Sequence, residues 1–229
     1  MPIDALLFDK DGTLFEFAAT WEAWAEAFLL RATGNDRAHA TRIGGHIGFD
    51  MATRQFAADS LVIANTPDEI AAAMVPHMPD WSHNALLEML NLEAEGVTQI
   101  EAVPLVAYLD ALRGDGLKLG VATNDAHAPA MAHLNAAGIV GHFDFIAGSD
   151  SGFGAKPDTG QMLAFARAVD LHPARIAMVG DSAHDLIAGR AAGMTTIGVL
   201  TGIADQDDLT GLADVVLPDI GHIPAWLAS

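Results

Sequence analysis

The chain has 229 residues, 51% of them hydrophobic, and a formal charge of −19 from 30 acidic and 11 basic side chains. A field of that sign repels phosphate backbones and anionic lipid, so neither nucleic acid nor a membrane is an expected partner. With no cysteine, disulfides, thiolate catalysis and Cys-based zinc sites are excluded.

The apolar content can build a sizeable core, and the length suits one large domain or a domain with an insert. No continuous apolar stretch approaches the roughly 18 residues of a membrane span. Asp4 interrupts the first apolar run, so no secretory leader is expected and the cytoplasm is the default setting.

Ile3 to Phe8 is a short apolar run, suited to a buried parallel strand. It breaks into Asp9-Lys10-Asp11-Gly12-Thr13. Residues two apart on an extended backbone point the same way, so Asp9 and Asp11 can aim at one point. Two crowded acids repel, and a divalent cation relieves that. From Phe17 to Ala32 the spacing is helical, with Phe17, Trp21, Trp24, Phe28 and Leu29 on one face, read as packing and not as a binding box. Gly34-Asn35-Asp36 ends that helix. Thr41 to Asp50 reads as a loop with three glycines. Further helices are expected over Met51–Ala64, Pro67–His77 and His83–Glu95, the second opened by Thr66 as cap and Pro67 in the first turn. No strand is expected between residues 16 and 98.

The period then changes. A helix near Glu101–Leu112 precedes strands at Leu117–Ala122, Phe143–Ala147, Arg175–Val179, Thr195–Leu200 and Asp214–Leu217, with helices at Ala126–Ala137, Asp158–Val169 and His184–Ala192 between them. Alternation of this kind means βαβ units and a parallel sheet covered on both faces. The strand ends carry the chemistry. Thr123-Asn124-Asp125 offers a hydroxyl and backbone N–H groups to a phosphate oxygen. Lys156-Pro157 follows a glycine-rich loop, with Pro157 at a first helical position and Lys156, one of three lysines, able to reach inward. Gly180-Asp181-Ser182-Ala183-His184-Asp185 places two more acids one turn apart. They form a second half for a cation site with Asp9 and Asp11, and magnesium suits such oxygen ligands.

Four motifs in this order, Asp9-x-Asp11-Gly12-Thr13, Thr123-Asn124, Lys156-Pro157 and Gly180-Asp181-Ser182-x-x-Asp185, resemble those of the haloacid dehalogenase-like hydrolases, in particular the phosphoglycolate phosphatase-like group. The resemblance implies an α/β, Rossmann-like core over residues 1–15 and 99–229 and a helical cap over 16–98. It implies a magnesium-dependent phosphomonoester hydrolase of a small phosphorylated metabolite. In that scheme Asp9 is the nucleophile that becomes an aspartyl-phosphate, and Asp11 is the general acid and then the base. Thr123 and the Asn124 amide bind phosphate. Lys156 neutralises charge on Asp9 and on phosphate. Magnesium is held by Asp9, the Asp11 backbone carbonyl and Asp181, with Asp185 in support.

Family members that cleave carbon–halogen bonds lack the second motif aspartate, present here as Asp11. The phosphonate-cleaving members need a cap lysine, and none occurs between Phe15 and Thr98. Lys10 departs from the apolar residue many members carry. Arg42, His46 and Arg54 are expected to hold a substrate carboxylate or hydroxyls, and His127 and His133 to be surface or capping residues. Two rival readings are a sugar-phosphate phosphomutase, which returns the phosphoryl group to sugar, and a non-catalytic binding module on the same fold.

Overall fold

The computed structural model describes residues 2–57 and 59–229; Ala58, inside the helix expected over Met51–Ala64, lies outside them. The chain opens with β1, Ala5–Phe8, whose four residues are all buried. It then leaves for helices α1 (Phe17–Ala32) and α2 (Arg37–Ile47), the short strands β2 (Phe49–Asp50) and β3 (Gln55–Phe56), and helices α3 (Leu61–Ala64), α4 (Pro67–Met74) and α5 (His83–Glu95). Helix and strand alternate from there: α6 (Leu105–Gly114), β4 (Lys118–Ala122), α7 (His127–Ala136), β5 (Phe145–Ala147), α8 (Gly160–Ala168), β6 (Ile176–Gly180) and α9 (Ala183–Ala191). The last elements are β7 (Thr195–Val199), α10 (Gln206–Leu209), β8 (Val215–Leu217) and α11 (Ile223–Leu227).

Six strands form one sheet in the order β5-β4-β1-β6-β7-β8, with every neighbouring pair parallel. Strands buried on both faces need apolar residues throughout, which is why β1 and β6 read as unbroken runs. Successive side chains alternate between the faces. Leu6 and Phe8 join Leu105, Leu109 and Ile220 on one side, while Ala5 and Leu7 join Met162, Phe165 and Ala188 on the other. The fold is a Rossmann-like α/β core. Its chain builds β4 and β5 on one side of β1 before crossing to β6, so a crevice opens at the carboxyl end of β1, where such sheets place ligands.

The helices between residues 17 and 95 gather a separate apolar cluster, including Phe17, Trp21, Phe28, Ile43, Phe49, Met74 and Leu86. Here the structure corrects three sequence expectations. Residues 41–47 belong to α2, not to a loop. Asp36 caps that helix by accepting the His39 N–H at 3.0 Å, and Ala40, Ile43, Gly44 and Ile47 make its buried stripe. Gly44 is a packing glycine, because a Cβ there would stand 2.8 Å from the Phe49 carbonyl. Nor is 51–64 one helix. Gly48 ends α2 at φ +76, the Asp50 carboxylate caps the following turn through Ala52 N at 2.7 Å, and β2 pairs antiparallel with β3. Phe49 and Phe56 meet at a tilt across this hairpin, 4.9 Å between centroids, and the span from 16 to 98 does contain strands. The Thr66 start of α4 forms a full capping box with Glu69. Among described residues no helix is long and apolar enough to cross a membrane.

Candidate active site

The sheet ladder runs one residue past β1: the Asp9 N–H donates to the Val179 carbonyl at 2.8 Å, which pins this aspartate to the sheet edge. Lys156 Nζ donates to Asp9 Oδ1 and to Asp185 Oδ1, each at 2.6 Å. The turn carrying Lys156 is held by Asn124, whose Oδ1 takes the Lys156 N–H at 2.8 Å and whose Nδ2 donates to the Lys156 carbonyl at 2.9 Å. Helix α8 starts only at Gly160, so Lys156 and Pro157 lie in this turn and not at a helix entrance. Asp181 follows β6, and Asp185 lies in the first turn of α9, its other oxygen taking the Ser182 N–H and hydroxyl at 3.1 and 2.7 Å. Thr123, 2% exposed, follows β4 and faces the same crevice.

One oxygen each from Asp9, Asp181 and Asp185 falls within 4.8 Å of the others. Three buried carboxylates against one lysine leave surplus negative charge. Burial pushes the Asp9 carboxyl up to about 7, Lys156 pulling it down and Asp185 pushing it further up. Asp181 is raised well above the carboxylate range by burial and then by Asp185 and Asp9. Burial works against the Lys156 charge, but Asp185 and Asp9 outweigh it and hold its pKa above the usual lysine value. Gly12, at φ +77, and Gly202 leave room for Asp181, since a Cβ on either would overlap its carboxylate. Apart from a 3.5 Å contact from the Thr13 hydroxyl, no side chain among the described residues donates to that carboxylate. Hard oxygen donors with uncompensated charge fit a hard divalent cation.

The sign of the pH response follows. A carboxyl raised in the fold holds a proton that the unfolded chain has lost, so stability falls as pH climbs from the ordinary carboxylate range towards about 7. Asp125, pushed by burial to about 6, adds to this fall. His133, lowered by burial to about 4, opposes it over the window between 4 and its ordinary value of 6.5. Three carboxyls outnumber one imidazole. Thermal unfolding in chelator should therefore show Tm falling between pH about 5 and 7.5, with added magnesium raising Tm more at the higher pH. A Tm increment from magnesium that is the same at both pH values would contradict a metal site on these acids.

Lys10 is fully buried and takes part in a second network. Its Nζ reaches Asp11 Oδ1 and Oδ2 at 2.7 and 2.6 Å, His133 Nδ1 at 3.0 Å and Asp125 Oδ2 at 3.4 Å, and lies 5.5 Å from the centre of the Trp21 ring. Trp21 Nε1 donates to Asp11 Oδ1 at 2.9 Å, so Asp11 is gripped from the core by Lys10 and from α1 by Trp21. His133 is not a surface residue; it is 1% exposed, and its Nε2 lies 2.7 Å from the Ala94 carbonyl at the end of α5. Asn124 Nδ2 also donates to the Ala64 carbonyl of α3 at 2.7 Å. These contacts draw the helical layer down over the crevice. They leave a partly open cavity between the two layers.

A family model for haloacid dehalogenase-like hydrolases matches residues 3–193. The chain belongs to that family.

As a haloacid dehalogenase-like hydrolase it has named relatives. It is 30% identical over 93% of its length to a protein named probable phosphatase IndB from Dickeya dadantii, covering 88% of that protein. It is 30% identical over 96% of its length to a phosphoglycolate phosphatase from Chromobacterium violaceum, covering 95% of it. In fold it is similar to a crystal structure described as a "predicted phosphoglycolate phosphatase" from Haemophilus somnus, with TM-score 0.74, 19% identity, and 98% and 97% of the two chains covered.

In this hydrolase Asp9, Asp11, Thr123, Asn124 and Lys156 all face the one cavity, with Asp181 and Asp185 beside Asp9. Arg42, His46 and Arg54 do not line it. Arg42 is exposed on α2, His46 stacks on His77 with centroids 3.5 Å apart, and Arg54 pairs with Glu26 at 2.7 Å. Arg42 and His46 lie on a helix where a loop is expected, and Arg54 lies in the turn between β2 and β3; none of the three side chains reaches the cavity. The cavity wall comes instead from Phe17, Trp21 and Trp24 of α1, with Val62, Ile70 and Leu90. The aromatic stripe therefore does both jobs, packing along its length and lining the cavity at one end. Two signals could have found the missed residues: a lysine between two motif aspartates at a strand exit, and tryptophans one turn into the helix that follows.

Proposed function

We propose that this phosphatase is a cytoplasmic, magnesium-dependent phosphomonoester hydrolase of a small metabolite, working through an aspartyl-phosphate on Asp9. The observation that carries the reading is Asp9 at the crevice end of the central strand, bonded to Lys156, with Asp11 two residues on in the cavity wall and Asp181 and Asp185 beside it. Asp9 attacks phosphorus, its own new bond forming as the bond to the leaving oxygen breaks. Lys156 offsets the repulsion between Asp9 and the phosphate dianion, and Thr123 donates to a phosphoryl oxygen. Asp11 gives its proton to the leaving alkoxide, then takes one from the water that releases inorganic phosphate and regenerates Asp9. Magnesium, held by Asp9, Asp181 and the Asp11 carbonyl with Asp185 supporting, would supply charge neutralisation at the phosphoryl group.

The relatives named phosphoglycolate phosphatase and the intact motif set support hydrolysis. A mutase must hold a second phosphate on its substrate, and among the described residues no arginine or lysine from the helical layer lines the cavity. The test is phosphate release across a panel of small phosphoesters, with magnesium and with chelator. Release that survives removal of divalent ions would reject the metal requirement. Isomerised sugar phosphate without net release would restore the mutase.

Lys10→Met should separate the proton step from the rest. Without its ammonium, Asp11 is held by Trp21 alone, so kcat for an alkyl phosphate should fall about 10- to 100-fold. p-Nitrophenyl phosphate, whose leaving group departs without a proton, should lose much less. An equal loss on both esters would mean that Lys10 does not act through Asp11.

A further inference from the structure

The cavity wall argues for a particular class of substrate. We infer that the natural ester has an uncharged, flat apolar body on its alcohol side, with one hydrogen-bonding edge, and is not a second anion such as a phosphorylated hydroxy acid. This inference rests on the phosphatase reading above and narrows its substrate.

Beyond the phosphate end the wall is apolar: Phe17, Trp21, Trp24, Val62, Ile70 and Leu90. Trp21 and Trp24 meet edge to face at 5.1 Å, and Trp24 stacks on Phe28 at 5.1 Å and 14°, so the corner they form is rigid. A flat ring against that corner would bury its faces without disturbing the packing behind it. Among the described residues no cation comes from the helical layer. Lys156 is already paired with Asp9 and Asp185, Lys10 lies behind Asp11, and His184 enters from the core beside Ser182 at the phosphate end. Asp9, Asp11 and Asp125 also line the space. A substrate carboxylate placed beyond the phosphate would lose its water, find neutral donors but no cation from the helical layer, and meet three acids.

The wall is not wholly apolar. Trp24 Nε1 and Asn91 Oδ1 are buried, belong to residues that line the cavity, and have no hydrogen-bond partner among the described residues. Orphaned buried polar atoms in a ligand cavity call for ligand atoms. The indole N–H requires an acceptor and the amide oxygen a donor. A hydroxyl, or the edge of an amide-like ring, supplies both.

The deciding comparison is kcat/KM for benzyl phosphate against 2-phosphoglycolate with magnesium. Both release a primary alkoxide, so intrinsic reactivity does not decide the result. Benzyl phosphate should lead by about 100-fold, since its ring gains apolar burial while the carboxylate is desolvated without a counter-charge. Val62→Arg, which sets a cation in the wall, should narrow that lead at least about tenfold. Equal or better turnover of 2-phosphoglycolate by the unaltered protein would overturn the inference. If no ester is hydrolysed, p-nitrophenyl phosphate included, the phosphatase reading fails. The substrate class is then decided by equilibrium binding of benzylphosphonate against phosphonoacetate, read from Trp21 and Trp24 fluorescence. Tighter binding of benzylphosphonate upholds it, and anything else rejects it.

Discussion

Asp9→Asn protein should release phosphate at least about four orders of magnitude more slowly than the unaltered chain, because an amide cannot form the acyl-phosphate bond. The loss should come without unfolding. The amide oxygen of the variant can still accept the Lys156 hydrogen bond, and the substitution removes one of three crowded carboxylates, of which burial first and then mutual repulsion lift Asp9 and Asp181. Tm in chelator should therefore hold or rise, most visibly near neutral pH, while the stabilisation by magnesium shrinks. Phosphate release and melting measured on the same preparation separate the two effects. Substantial turnover by the variant would remove Asp9 from the nucleophile's role.

The second large effect is expected at Lys156. Its ammonium is the only cation bonded to Asp9 and Asp185 among the described residues, and its side chain is 3% exposed. Lys156→Met keeps much of the stem's volume but leaves two buried carboxylates without their partner. Breaking a buried pair in this way costs about 3–5 kcal/mol. Urea unfolding in chelator should record that loss, and low pH should soften it by protonating the abandoned acids. Activity should fall about 100- to 1,000-fold even with saturating magnesium, because Asp9 then meets the phosphate dianion without a neutralising group. A variant as stable as the unaltered protein would mean that the Lys156 pairs contribute little to holding the fold together.

How much of this was legible beforehand depends on the range of the interaction. The βαβ alternation after residue 99 was readable because a strand buried on both faces must be apolar throughout. Thr66 and Glu69 announced α4 by a local rule. The region from 41 to 64 was misread because glycine signals two opposite things. Gly48 does break a helix, whereas Gly44 is helical and small only because the Phe49 carbonyl comes close from another element. Spacing along the chain carries no record of such an approach. Arg42 and His46 are expected at the site on the strength of that loop, and the helix that replaces it carries them elsewhere, while Arg54 sits in the turn between β2 and β3, paired with Glu26.

By itself, the sequence determined the order of the strands and helices after residue 99, the parallel sheet and the carboxylates, hydroxyl and lysine of its motifs, since each follows from local patterning and chain direction. Only the tertiary structure decided what stands opposite them. Residues 123 positions apart bring His133 to Lys10, and the Ala64 and Ala94 carbonyls close on Asn124 and His133 from another layer. Whether Lys10 is a solvated charge or a buried grip on Asp11, and whether Trp24 is packing or cavity wall, depends on which surfaces meet. That is settled by packing between distant segments, not by any rule of spacing.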